Sequence, residues 1–169
     1  MPGPARITCV ETRRQQLLKR LDAAWRAFTQ SYAGLREPDL LAPGVIGAWS
    51  VRDIIAHVTT WDEEALKHLP SILHGEKPPR YSVTYGGIDA FNALMTKRKQ
   101  GLALSEVLRQ LDDTHRRVVE LVERAPGDDL ARETRFRRRL RLDTYGHYPK
   151  HAAAIRRWRE GSAATHGRT

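Results

Sequence analysis

Apolar residues recur along the first part of the chain at steps of three and four. Leu17, Leu21, Trp25, Phe28, Tyr32 and Leu35 make one stripe, while Arg13, Arg14, Lys19, Arg20 and Asp22 fall off it. That period predicts a long amphipathic helix with one face turned to a core. Just upstream, Thr8-Cys9-Val10-Glu11 has the Ser/Thr-x-x-Glu form of a capping box and is read as the helix start. Pro38, Pro43, Gly44 and Gly47 then break the pattern into a loop.

The second start signal is stronger. Ser50 can cap a helix with Asp53 at its third position, and Trp49 ahead of the cap can staple onto Ile54. The stripe continues through Val58, Trp61, Ala65, Leu69 and Ile72 until Gly75 and Pro78-Pro79. Residues 75–87, rich in Pro, Gly and Tyr, read as a long connection. A third helix is expected near Asp89–Gln100 and a fourth from Ser105 to the residues before Pro126-Gly127. A last one carries His147, His151, Ile155 and Trp158 in line and ends at Gly161. Strand alternation is almost absent, and neither a repeat nor a heptad run is found. The expectation is an all-α fold, a four-helix bundle over residues 8–161, with residues 1–7 and 162–169 as flexible termini.

Composition adds limits. A chain of 169 residues fits one domain and buries about 70% of its unfolded surface, so it needs neither disulfide nor metal to be stable. Any bound metal would then serve function. Cys9 is the only cysteine, which excludes an internal disulfide and suits a reducing compartment. The first residues lack the apolar run of a signal peptide, and no stretch approaches the ~20 apolar residues of a membrane span. A cytoplasmic protein without membrane contact is expected. The net charge is +9, and Arg outnumbers Lys by 23 to 6. Residues 130–160 hold ten Lys/Arg against three Asp/Glu. Such a basic face reads either as a solvated surface in an Arg-rich chain or as a contact for nucleic acid or another anion.

The chain has seven histidines. His68, His74 and His166 occupy polar or terminal positions and suggest no role. His57 lies between Ile54 and Trp61, facing the interior or its edge. His147 and His151 are four apart, so on a helix they stack on one face, which Ile155 and Trp158 turn toward the core. Imidazole is the commonest protein metal ligand, and an i,i+4 pair joined by a third histidine from a facing helix makes a half-shell with open positions. The competing reading of His57 is a core histidine satisfied by its neighbours. His115 falls in the seam between Leu111 and Val118, as a fourth ligand or as a buried partner for a carboxylate. Pro149 stands between the paired histidines. Inside a helix it would cost ~3 kcal/mol, so the helix is expected to start late, near Tyr145–His147, with Pro149 in its first turn.

Two segments resemble a known family. Val45 to Asp62, with Trp49, Ser50, Asp53, His57 and Trp61, resembles the second-helix signature of DinB-like proteins, and Gly146-His147-Tyr148-Pro149-Lys150-His151 resembles their C-terminal His-x-x-x-His. Ile88-Asp89-Ala90-Phe91-Asn92-Ala93 is similar to the third-helix start of the DfsB/ClbS-type branch. The resemblance implies an up-down-down-up four-helix bundle with a long link between helices two and three. It also implies a divalent ion, nickel or zinc, on His57, His147 and His151.

Three functions follow as expectations. The first is a metal-dependent transferase or hydrolase acting on a small reactive molecule, with a low-molecular-weight thiol as possible co-substrate. In that reading Asp62 or Glu63 orients a ligand, unless both are surface charges, and Asn92 or Arg98 lines the pocket. The second is a metal-independent self-protection protein of the DfsB/ClbS kind that binds a small molecule. The third, ranked last, is a nucleic-acid binder using Arg135-Phe136-Arg137-Arg138-Arg139-Leu140-Arg141, which lacks a recognition motif and stacking aromatics beyond Phe136. A homodimer through a bundle face is compatible with the first two.

Overall fold

The first apolar stripe forms the helix α1, Pro4–Tyr32, with Leu17, Leu21 and Phe28 fully buried. The computed structural model describes the backbone of residues 4–166 and the side chains of residues 13–162. Because α1 begins at Pro4, Thr8 lies within the helix rather than ahead of it. The side chains of that expected capping box lie outside the described residues. After Gly34, whose φ of +76° suits a residue without Cβ, the supposed loop holds a short helix α2, Glu37–Leu41, that buries Leu40.

A tight turn leads to the second long helix. Val45 N donates to Trp49 O (2.9 Å) and Trp49 N to Ile46 O (2.9 Å), with Gly47 at φ +57° between them. Helix α3, Val51–Leu73, starts on the expected capping box: Ser50 Oγ accepts from Asp53 N (3.2 Å) and Asp53 Oδ2 accepts from Ser50 N (3.0 Å). Buried residues line α3 on nearly every side, as a central helix requires.

The crossover is not structureless. It contains the helical turn α4, Tyr81–Thr84, followed by α5, Ile88–Lys99, which buries Phe91 alone and stands outside the main core. The helix lying along α3 inside the core is instead α6, Leu104–Arg124, through Val107, Leu111, Val118 and Val122. Arg52 fastens the α5–α6 link to α3, with Nη2 donating to Lys99 O (2.6 Å) and Leu102 O (2.5 Å).

A 3-10 turn, Gly127–Leu130, leads into α7, Arg135–Asp143. This helix was not expected, because five arginines in seven residues hide its stripe. Phe136, Leu140 and Asp143 are nevertheless buried at helical spacing, and Thr134 Oγ1 caps Arg137 N at 3.1 Å. Helix α8, Tyr148–His166, starts where Pro149 demanded, and it continues past Gly161.

The four longest helices, α1, α3, α6 and α8, contact one another: α1 with α6 and α8, and α3 with α6 and α8. Arg14 Nη2 ties α1 to Ala125 O (2.8 Å), and Arg159 Nη1 ties α8 to Ser31 O (2.8 Å). The described residues form no strand, only the single bridge between Ile46 and Trp49. Among the described residues, no helix is long and apolar enough to cross a membrane.

Candidate metal centre

His57 sits in the second turn of α3, and its imidazole faces the start of α8. The turn Thr144–Tyr148 is tight, with His147 N (2.7 Å) and Tyr148 N (2.9 Å) both donating to Thr144 O. That turn sets His147 immediately before α8, and His151 follows one turn later. Pro149 falls in the first helical turn, where its missing N–H is one of the groups without a helical partner in any case. The pair is not loosened by this placement. His147 Nε2 lies 2.9 Å from His151 Nε2 and 3.2 Å from His57 Nε2, and one nitrogen from each ring falls within 4.8 Å of the others.

Burial decides the protonation of these rings. It pushes His57 down to about 3, with the neighbouring His151 adding to the effect. His147 is lowered to about 2 by burial and then by His151, His57 and Lys150. His151 is lowered to about 4 by burial and by Lys150. All three are neutral at neutral pH, the state in which imidazole offers a lone pair. A divalent ion bound at about 2.0–2.1 Å from each nitrogen, with angles between square and tetrahedral, needs nitrogens about 2.9–3.4 Å apart. The two closest separations fall inside that range. The triad can hold a metal ion.

The chain belongs to the DinB superfamily. That family's model matches residues 20–155, a span that contains the triad and all four long helices in part or whole. Comparison with curated proteins and with solved structures gave no match.

Aromatic rings flank the triad. Trp49 lies with its ring centre 5.0 Å from that of His57. Trp61 is 6.4 Å from His57 and 5.9 Å from His147. A small cleft is lined by His57 itself, and two larger ones lie beside this region. One of about 510 Å³ runs beside His151, between Val45, Ile46, Trp158 and the cations Lys150 and Arg157. The other, of about 710 Å³, is bounded by Trp49, Asp53, Asn92, Thr96 and Gln100.

The remaining expected site residues have separate settings. Asp62 is no surface charge: it is fully buried, accepts from Tyr148 Oη at 2.7 Å on Oδ1, and leaves Oδ2 without a partner. Burial raises its carboxyl well above the ordinary range, with Asp143 and Glu63 adding repulsion. Glu63 accepts from Lys99 Nζ at 2.8 Å. Asn92 lines the larger cleft, with its Oδ1 buried and unpartnered. Arg98 is exposed and lines none of these clefts. His115 stands apart from the triad and stacks on Trp25, with ring centres 3.7 Å apart and planes 4° from parallel.

A polar network behind the triad escaped the sequence reading. Glu64 Oε2 accepts from Tyr81 Oη (2.6 Å) and pairs with His68 Nε2 (3.0 Å). Arg139 Nη2 donates to Tyr81 Oη (2.7 Å), and its Nε donates to Asp143 Oδ2 (2.5 Å). His68, set aside as polar, is therefore buried and paired. The i,i+4 spacing of Glu64 and His68 was the available signal.

Proposed function

We propose that this protein is a metal-dependent enzyme acting on a small molecule, with nickel or zinc held by His57, His147 and His151. The convergence of three neutral imidazoles, at 2.9 and 3.2 Å, carries the proposal. When bound, such an ion supplies Lewis acidity and makes a water or thiol nucleophile available at neutral pH. The three histidines hold the ion, and Trp49 and Trp61 pack beside His57. Lys150 and Arg157, opposite Val45, Ile46 and Trp158, suit a substrate with an apolar body and an anionic end. A low-molecular-weight thiol carrying a carboxylate has that chemistry, so thiol transfer is the favoured reaction and hydrolysis the alternative. In this reading α1, α3, α6 and α8 are the up-down-down-up bundle.

A second reading keeps the larger cleft beside Asn92 as a small-molecule site that works without metal, as in a self-protection protein of DfsB/ClbS type. The unpartnered Asn92 Oδ1 at that cleft favours it.

Elemental analysis of untagged protein purified without chelator separates the two. About one nickel or zinc per chain is expected. His57→Ala and His151→Ala should lose that metal while keeping the helical signal. Metal retained in both variants, or no uptake of any divalent ion by the wild type, would refute the metal-dependent reading.

A further inference from the structure

The basic segment resolves into two kinds of arginine. Arg139 points inward, with its side chain 14% exposed, and is consumed by Tyr81 and Asp143. Arg137, Arg138 and Arg141 of α7, with Arg20 of α1 and Arg132 of the preceding loop, border a cleft of about 390 Å³ that the triad does not touch. Glu133 is the only carboxylate there. Five guanidiniums against one carboxylate leave four positive charges uncompensated. Ion pairs of the described residues engage none of these five arginines.

The cleft is built rather than merely charged. Arg137 is fixed from below, Nη1 donating to Leu130 O (2.8 Å) and Nε to Tyr145 Oη (3.0 Å), and neither bond uses its Nη2. Arg141 is held at the end of α7 by the bond from Gly146 N to its carbonyl (2.9 Å). A side chain at Gly146 would meet that carbonyl oxygen at 2.6 Å, so glycine is required for this close turn.

We propose that this cleft binds a small polyanion carrying two linked phosphate groups. A terminal phosphate brings a charge of about −1.5 to −2 and a second one linked to it about −1 more, so the pair offsets most of the four free positive charges. Guanidinium forks recognise phosphate oxygens bidentately, and the volume lies at the low end of ligand pockets, about 300–1,000 Å³. A nucleic-acid backbone would instead need a continuous exposed stripe, which the inward turn of Arg139 interrupts.

Isothermal titration of the full chain with inorganic pyrophosphate at low ionic strength tests this, with sulfate as comparison. One saturable site is expected, binding pyrophosphate at least about tenfold more tightly than sulfate. Arg138→Gln and Arg141→Gln should each weaken it about tenfold, while Arg156→Gln, an exposed arginine of α8 outside the cleft, should not. Binding must persist in His57→Ala, which separates the cleft from chelation at the triad. ADP tighter than pyrophosphate would assign a nucleotide source, and the reverse an inorganic one. No saturation, equal affinity for sulfate, equal losses in all three arginine variants, or displacement of pyrophosphate by a DNA duplex that binds more tightly would overturn the proposal.

Discussion

The phenol of Tyr148 donates to Asp62 Oδ1 at 2.7 Å and so joins the first residue of α8 to the middle of α3, one residue along from His147. Both side chains are fully buried. The bond fixes the approach of the two helices that carry the histidine triad, and it is the one hydrogen bond of the Asp62 carboxyl among the described residues.

Tyr148→Phe keeps the ring packing against Phe28 and Trp25 but strips a buried carboxyl of its partner. The expected loss is about 1–3 kcal/mol in urea denaturation. Adding Asp62→Leu should recover part of it, because removing both partners of a buried bond costs less than orphaning one. A double variant weaker than both singles would show that the bond is not the source of the effect.

Acid should unfold the metal-free protein. His57, His147, His151 and His115 have folded-state values of about 3, 2, 4 and 4, below the ordinary 6.5. The folded state therefore binds fewer protons, and stability present above pH ~6.5 is lost as the pH falls toward those values. Asp62 and Asp143 oppose this: burial raises both, Asp143 to about 7, so their contribution improves in acid. His68, lowered by burial and by Arg139, adds to the loss, so the histidines outweigh the two carboxyls and stability declines in acid. Urea melts between about pH 7 and pH 5 should show the decline, and Asp62→Asn should steepen it. A flat profile would contradict the neutral, buried state of the rings.

Neighbouring arginines of α7 should differ sharply. Arg139→Ala leaves Asp143, with its side chain 2% exposed, without its cation, and removal of one partner from such a pair costs about 3–5 kcal/mol. Arg138→Ala, on the exposed face, should stay within about 0.5 kcal/mol of wild type. Thermal or urea denaturation of the two variants reads the contrast directly. Equal effects would mean that the inward network contributes nothing.

Periodicity and punctuation alone determined the helical class, the positions of α3, α5 and α6, the cap at Ser50 and the late start of α8, because those signals are local: a stripe needs only its own helix, and Pro149 constrains only its own turn. Spacing paired His147 with His151, and the resemblance to DinB-like proteins added His57 to them. Only the tertiary structure decided that His57 meets them at 3.2 Å, that Asp62 is buried under Tyr148, and that His115 goes to Trp25 instead. It likewise revealed α7 and divided its arginines between an inward network and an outward cleft. Convergence, burial and charge pairing depend on which helices pack side by side, and no local pattern along a single segment encodes that.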